Sequence, residues 1–222
     1  MGKAFWGMQA SVLMGLVGCM GNGAEPPAIA PALPTSVPSI SQLAPSPAPA
    51  QPTVEDDLWA QLQQPTAPYF VLMRHALAPG TGDPANFTLG DCTTQRNLSE
   101  QGRSQAVRTG AAFRQRGIVV DRVLSSQWCR CLDTAELMDL GPVEPLPALN
   151  SFFSDRAAGP ERTAQLREFM QAQADNPGVI VMVTHFVNIA ALSDASVSSG
   201  ELVVLRLTDQ QQLEVVGQLD PR

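Results

Sequence analysis

Tyr69-Phe70-Val71-Leu72-Met73-Arg74-His75 is a continuous apolar run that stops on Arg-His, and Gly178-Val179-Ile180-Val181-Met182-Val183-Thr184-His185 repeats the pattern. A strand apolar on both faces belongs in the middle of a sheet covered on both sides, usually a parallel one. Outward from these runs, Ser99-Glu100 opens a helical pattern that stops at Gly117, with Ala106, Gly110, Ala111 and Phe113 inward. Asp121 to Ser125 reads as a strand, Trp128 to Leu140 as a helix, Val143 to Leu146 as a strand and Pro160 to Ala174 as a helix. A further helix follows His185 to Leu192, and Val54 to Gln64 reads as a short one. Glu201 to Thr208 and Gln212 to Gln218 read as an edge hairpin. Strands alternating with helices predict an α/β three-layer sandwich, with a mostly parallel central sheet and helices on both faces. In such sheets ligands bind beyond the carboxyl ends of the strands. That rule sets Arg74-His75 beside Thr184-His185, and these are the only two histidines of the chain.

The first quarter of the chain has a different composition. Residues 1–19 read as an export signal, with Lys3 as the positive start and Phe5 to Val17 as a short apolar stretch. It is shorter than the ~20 residues a comfortable bilayer span needs. Leu16-Val17-Gly18-Cys19 resembles the bacterial lipobox, which implies cleavage before Cys19 and lipidation of its thiol. Residues 20–53 hold nine prolines among Ala and Ser and cannot bury apolar surface, so they read as a disordered tether. Residues 54–222 then form a single domain, held at the periplasmic face of a bacterial membrane through Cys19. A net charge of −7 argues against a nucleic-acid partner, because counterion release requires a basic surface. A small anionic substrate is compatible with it. Lys3 is the only lysine, and every other basic side chain is Arg, whose planar fork matches phosphate oxygens.

Three segments carry the chemistry: Leu72-Met73-Arg74-His75-Ala76, then Ser125-Ser126-Gln127-Trp128-Cys129-Arg130-Cys131-Leu132-Asp133-Thr134-Ala135-Glu136, then Val183-Thr184-His185. In this order and on these elements they resemble the histidine phosphatase superfamily over about residues 69–195. The resemblance implies a phosphohydrolase that takes a small phosphorylated substrate, with His75 attacking phosphorus to become a phosphohistidine. Arg74, Arg130 and His185 would hold the equatorial oxygens. Elementary chemistry agrees. A neutral imidazole with one nitrogen held as donor presents a lone pair on the other, and fixed cations stabilise the charge spread over a transferring phosphoryl group. No cofactor or metal is called for.

The chain departs from the family pattern in three places. Ala76 stands where Gly is usual, as in small Arg-His-Ala members. The mutase-like branch has a Glu acid after Leu-Asn, whereas Leu149-Asn150 is followed here by Ser151, whose hydroxyl cannot do that work. The acid-phosphatase branch has an acidic residue after the second His, and this chain has Phe186. The relocated acid is assigned to Asp155, in Ser154-Asp155-Arg156, with Asp83, in the Gly-rich loop after the nucleophile, as the other candidate. Thr81 roughly matches a polar pocket residue of the family, and Arg96 reads as a cap for local carbonyls.

Besides Cys19 the chain has Cys92, Cys129 and Cys131. Residues two apart on a helix face different sides, so a Cys129–Cys131 bond is disfavoured, and Cys92 is expected to pair with one of the two. Cys-x-Cys with distant histidines is poor zinc spacing. The alternative to an enzyme is an envelope binding protein that keeps the fold but has lost catalysis, a reading that Ser151 favours and the intact Arg-His set opposes.

Overall fold

The structure, a computed structural model, describes residues 53–221. The predicted signal, its Cys19 and the tether up to residue 52 lie outside the described residues. In chain order the elements are α1 (Val54–Gln63), β1 (Pro68–Arg74), α2 (Glu100–Gln115), β2 (Arg122–Ser125), α3 (Cys129–Met138) and β3 (Val143–Pro145). They continue with α4 (Gly159–Gln171), β4 (Gly178–Thr184), α5 (Phe186–Ser193), β5 (Leu202–Leu207) and β6 (Leu213–Leu219). Short 3-10 turns stand at Cys92–Thr94, Pro147–Leu149 and Arg156–Ala158.

One six-stranded sheet runs in the order β3-β2-β4-β1-β5-β6. The first four strands are mutually parallel, and β5 and β6 are antiparallel additions beyond β1. The two apolar runs are therefore neighbours at the centre, in the register Tyr69↔Val179 through Arg74↔Thr184. Successive side chains of β1 leave on opposite faces. Tyr69, Val71 and Met73 join a core with Trp59 of α1, Phe113 of α2 and Met138 of α3. Phe70 and Leu72 join a second core with Leu166 and Met170 of α4 and Ile189 of α5. Helices thus cover both faces, as the α/β three-layer reading predicts. The hairpin lies at the edge as expected, with β5 paired to β1 and β6 outermost.

Local chemistry sets the helix starts. Ser99 caps α2 by accepting from the Gly102 amide while its hydroxyl donates to the Leu77 carbonyl. Its inner face is Gly102, Ala106, Thr109, Gly110 and Phe113. Ala111, expected inward, is only half-buried, because it stands about 100° around the helix from Gly110. Gly110 is where α2 meets α3: a Cβ there would lie 1.8 Å from the Met138 carbonyl oxygen, so no other residue lets the two backbones approach this closely. That contact seats α3, and with it Arg130, against the sheet.

Candidate active site

The parallel register brings the two strand ends together. The His75 amide donates to the Thr184 carbonyl at 3.0 Å, and the rings of His75 and His185 lie 5.5 Å apart, edge to face. Both imidazoles are almost fully buried. Each borders a cavity of about 290 Å³ at the carboxyl end of the sheet, which Arg74, Arg96, Arg130, Asp83, Thr81 and Ser151 also line, with Phe153 and Phe186 at its apolar side.

His75 is oriented by its own backbone neighbour. Its Nδ1 lies 2.8 Å from the Ala76 carbonyl oxygen. A carbonyl only accepts, so Nδ1 carries the proton and Nε2 keeps the lone pair. Burial, then the Arg130 charge, pushes the His75 pKa down to about 3, so the ring is neutral at physiological pH. His185 is held by Ser126, whose Oγ lies 2.9 Å from His185 Nε2 and donates to Asn150 Oδ1 at 3.2 Å; the Cys131 thiol is 3.5 Å from the same nitrogen. Burial, then the neighbouring His75, holds the His185 pKa well below its ordinary value. Burial of Cys131 raises its thiol to about 12, which leaves it an inert neighbour.

Three guanidinium groups surround the pair. Arg74, at the end of β1, donates from Nη1 to the Val197 carbonyl at 2.8 Å and lies 5.8 Å from the Phe186 ring centroid. Arg96 donates to the carbonyls of Ala78 and Gly82, so the predicted capping role holds, yet the side chain also borders the cavity. Arg130, in the first turn of α3, is buried and makes a two-pronged ion pair with Asp83, Nη1 to Oδ1 at 2.5 Å and Nη2 to Oδ2 at 3.1 Å. The indole of Trp128 donates to the same carboxylate at 3.0 Å. Partial burial raises the Asp83 pKa, but the Arg130 hydrogen bonds and charge outweigh it and hold the carboxyl below the usual carboxylate range.

A long loop between β1 and α2 carries Thr81, Asp83 and Arg96, and it is bolted to the start of α3. Cys92 and Cys129 form a disulfide with Cα atoms 5.7 Å apart. Gln95 accepts from the Cys129 amide, and Phe87 stacks on Trp128 at 5.0 Å. Of the two pairings left open by the sequence, Cys92–Cys129 is the one formed, and Cys131 is free and buried.

Arg74, His75, Arg130, His185 and Thr81 are all brought to one cavity. Asp155 is not. It is exposed, precedes the turn at Arg156–Ala158 and does not border the cavity, because the chain turns outward after Phe153. The sequence motif gives Ser126 and Asn150 no role; the structure makes them the support of His185, and only the fold reveals that residues 126, 150 and 185 meet. Among the described residues no group of three or more His, Cys, Asp or Glu side chains is arranged to hold a metal ion.

The profile of the histidine phosphatase superfamily (branch 1) matches residues 70–182, more than half of the chain. The chain belongs to that superfamily. Its match stops just before His185, which the fold supplies. The structure of the protein histidine phosphatase SixA complexed with tungstate is similar, with a TM-score of 0.51 and 17% identity over 69% of this chain and 97% of that one. The mycobacterial glucosyl-3-phosphoglycerate phosphatase in complex with VO3 gives a TM-score of 0.50 and 17% identity, covering 66% of this chain and 96% of that one. Phosphoserine phosphatase from Entamoeba histolytica, in complex with 3-phosphoglyceric acid, gives 0.50 and 12% identity over 69% and 97%. At these identities the likeness is one of fold. No curated protein matches the chain by sequence.

Proposed function

We propose that this chain is a phosphohydrolase that removes a phosphoryl group from a small phosphorylated metabolite or a phosphorylated protein side chain by way of a phosphohistidine on His75. The observation that carries the reading is the Nδ1 of His75 held on the Ala76 carbonyl, which leaves a neutral Nε2 lone pair among Arg74, Arg96, Arg130 and His185. A substrate phosphoryl group entering the cavity meets fixed positive charge on its equatorial oxygens, and Nε2 attacks as the ester bond opens. Water then attacks the phosphohistidine, phosphate leaves and the imidazole is restored. The guanidinium groups supply the charge neutralisation for which other phosphatases use a metal, so the reaction is read as metal-independent.

The lipobox-like Leu16-Val17-Gly18-Cys19 supports export and anchoring through Cys19, with the domain at the periplasmic side of a bacterial membrane. A disulfide within the domain suits an oxidising compartment.

The test uses the full chain. Wild type should hydrolyse p-nitrophenyl phosphate and, quenched during turnover, carry an acid-labile, base-stable phosphoryl group on His75. His75→Ala should abolish both, while Arg130→Ala should slow labelling by ~100- to 1000-fold without preventing it. Label on His185, or on a Ser or Asp, would overturn the assignment. No turnover of any phosphorylated compound would favour the binding-protein reading.

A further inference from the structure

We propose that Asp83 is the general acid of this site: it rests on the fork of Arg130, is displaced by the substrate's phosphoryl oxygens, and protonates the leaving oxygen. The proposal rests on the phosphohydrolase reading above and names the group that reading lacks.

Ser151 occupies the place after Leu149-Asn150, and its hydroxyl is too weak an acid to protonate an alkoxide. Asp155 points to solvent. Among the residues that line the cavity, Asp83 is the one carboxylic acid. Both of its oxygens lie on the Arg130 fork, so it occupies the edge that an equatorial pair of phosphoryl oxygens would take. A phosphate dianion is the stronger partner for that fork. Once it takes the place, the carboxylate loses its cation and gains an anionic neighbour, and both changes favour its protonated form. The backbone beside it stays in place, since Arg96 holds the Gly82 carbonyl, and the carboxyl shifts by rotating its own side chain. Gly80 and Gly82 flank Thr81 with φ of +92° and +70°, a backbone region that glycine enters freely, while Trp128 retains the carboxyl near the cavity through its indole N–H. The charged groups around this cavity are Arg130 on α3, Arg96 on the loop before α2, Arg74 and His75 at the end of β1, and His185 after β4.

The proton count closes. On binding, the Asp83 carboxylate takes one proton from solvent. As the His75 Nε2–P bond forms and the P–O ester bond breaks, that proton moves to the departing oxygen and an alcohol leaves. In the second half the Asp83 carboxylate takes a proton from the attacking water as the new O–P bond forms and the N–P bond breaks. Phosphate and neutral His75 result, and as phosphate leaves, Asp83 regains the Arg130 fork and returns its proton to solvent.

An acid matters only when the leaving group is poor, and the test uses that. Turnover of p-nitrophenyl phosphate, whose phenolate leaves unaided, is compared with that of 2-phenylethyl phosphate, whose alkoxide does not. Asp83→Asn and Asp83→Ala should each lower kcat/KM, which reads the phosphorylation half alone, by about 100-fold more on the phenylethyl ester than on the nitrophenyl ester. Equal losses on both esters would make Asp83 a positioning residue for Arg130 and overturn the proposal, as would no loss on either. Wild type alone also decides the matter. Across substituted aryl and alkyl phosphates its kcat/KM should fall by less than about threefold per unit of leaving-group pKa, and a steeper fall of about tenfold per unit, or inertness to the alkyl ester alone, would show that no acid acts. Inertness to both esters with no phosphoenzyme would instead refute the phosphohydrolase reading itself.

Discussion

Reduction of the Cys92–Cys129 disulfide should remove a large share of the domain's stability. The bond closes a sequence separation of 37 residues. The chain-entropy relation for a cross-link of that span gives about 4 kcal/mol at 25 °C. Against the roughly 5–15 kcal/mol typical of a whole domain, that is a substantial fraction. In a domain of this size each kcal/mol moves Tm by about 2–4 °C, so the melt of the reduced protein should come roughly 8–16 °C lower. Other ties soften the fall. The Gln95 side chain still accepts from the Cys129 amide, Asn97 still donates to the Cys92 carbonyl, and Arg96 still gathers the Ala78 and Gly82 carbonyls. These contacts keep the loop docked in the reduced native state, so the loss is felt mainly through a freer unfolded chain. The assay is a pair of thermal melts of one preparation with and without reductant, with intact mass before and after to count thiols. Superimposed melts, with mass showing the bond present at first and absent at the end, would refute the reasoning.

With two histidines in the chain, both in the site, ring titration by NMR is clean: neither His75 nor His185 should show the inflection near 6.5 of a free imidazole, and one on either ring would contradict the burial argument. The same shift has a consequence for stability. His75 stays neutral in the native state down to about 3, whereas the unfolded imidazole takes a proton below about 6.5, so stability is full above that value and declines as pH falls through the window, by roughly 1.4 kcal/mol per pH unit. Chemical denaturation at pH 7 and pH 5 checks the sign. Gly110→Ala should destabilise by about 1–3 kcal/mol or more in a denaturant midpoint, because the methyl meets the Met138 carbonyl of the backbone rather than a yielding side chain. Labelled fatty acid should be incorporated into the wild type and lost in Cys19→Ala, and incorporation that survives the change would remove the lipoprotein proposal.

Where sequence reading succeeded, the signal was local and the pattern long. The runs at Tyr69–Met73 and Gly178–Val183 are apolar at every position, and only a central strand buries both of its faces, so their pairing and the meeting of His75 with His185 followed from periodicity and the strand-end rule. Ser99 before Glu100 marked the start of α2 because a hydroxyl there satisfies an otherwise unpaired amide. Arg130 followed from its segment's resemblance and stands in the first turn of α3, as its place in that segment required.

What escaped was contact between residues distant in the chain. As letters Asp155 is the acid assigned and Asp83 the other candidate; in the structure Asp155 is exposed and Asp83 meets a guanidinium 47 residues away. Nothing in the pattern around Ser126 or Asn150 announces that both would brace His185. The choice of Cys129 over Cys131 was likewise settled by packing, since the start of α3 presents Cys129 to the loop and turns Cys131 toward the Thr184 carbonyl and the His185 ring. The sequence by itself determined the sheet, the pair of histidines and the family chemistry, because these rest on hydrophobic period and on short motifs that adjoining residues spell out. The tertiary structure alone decided which carboxylate shares the cavity, which cysteines join and what holds the second histidine, because those depend on how a long loop closes over a helix end, and no local period encodes a loop's path.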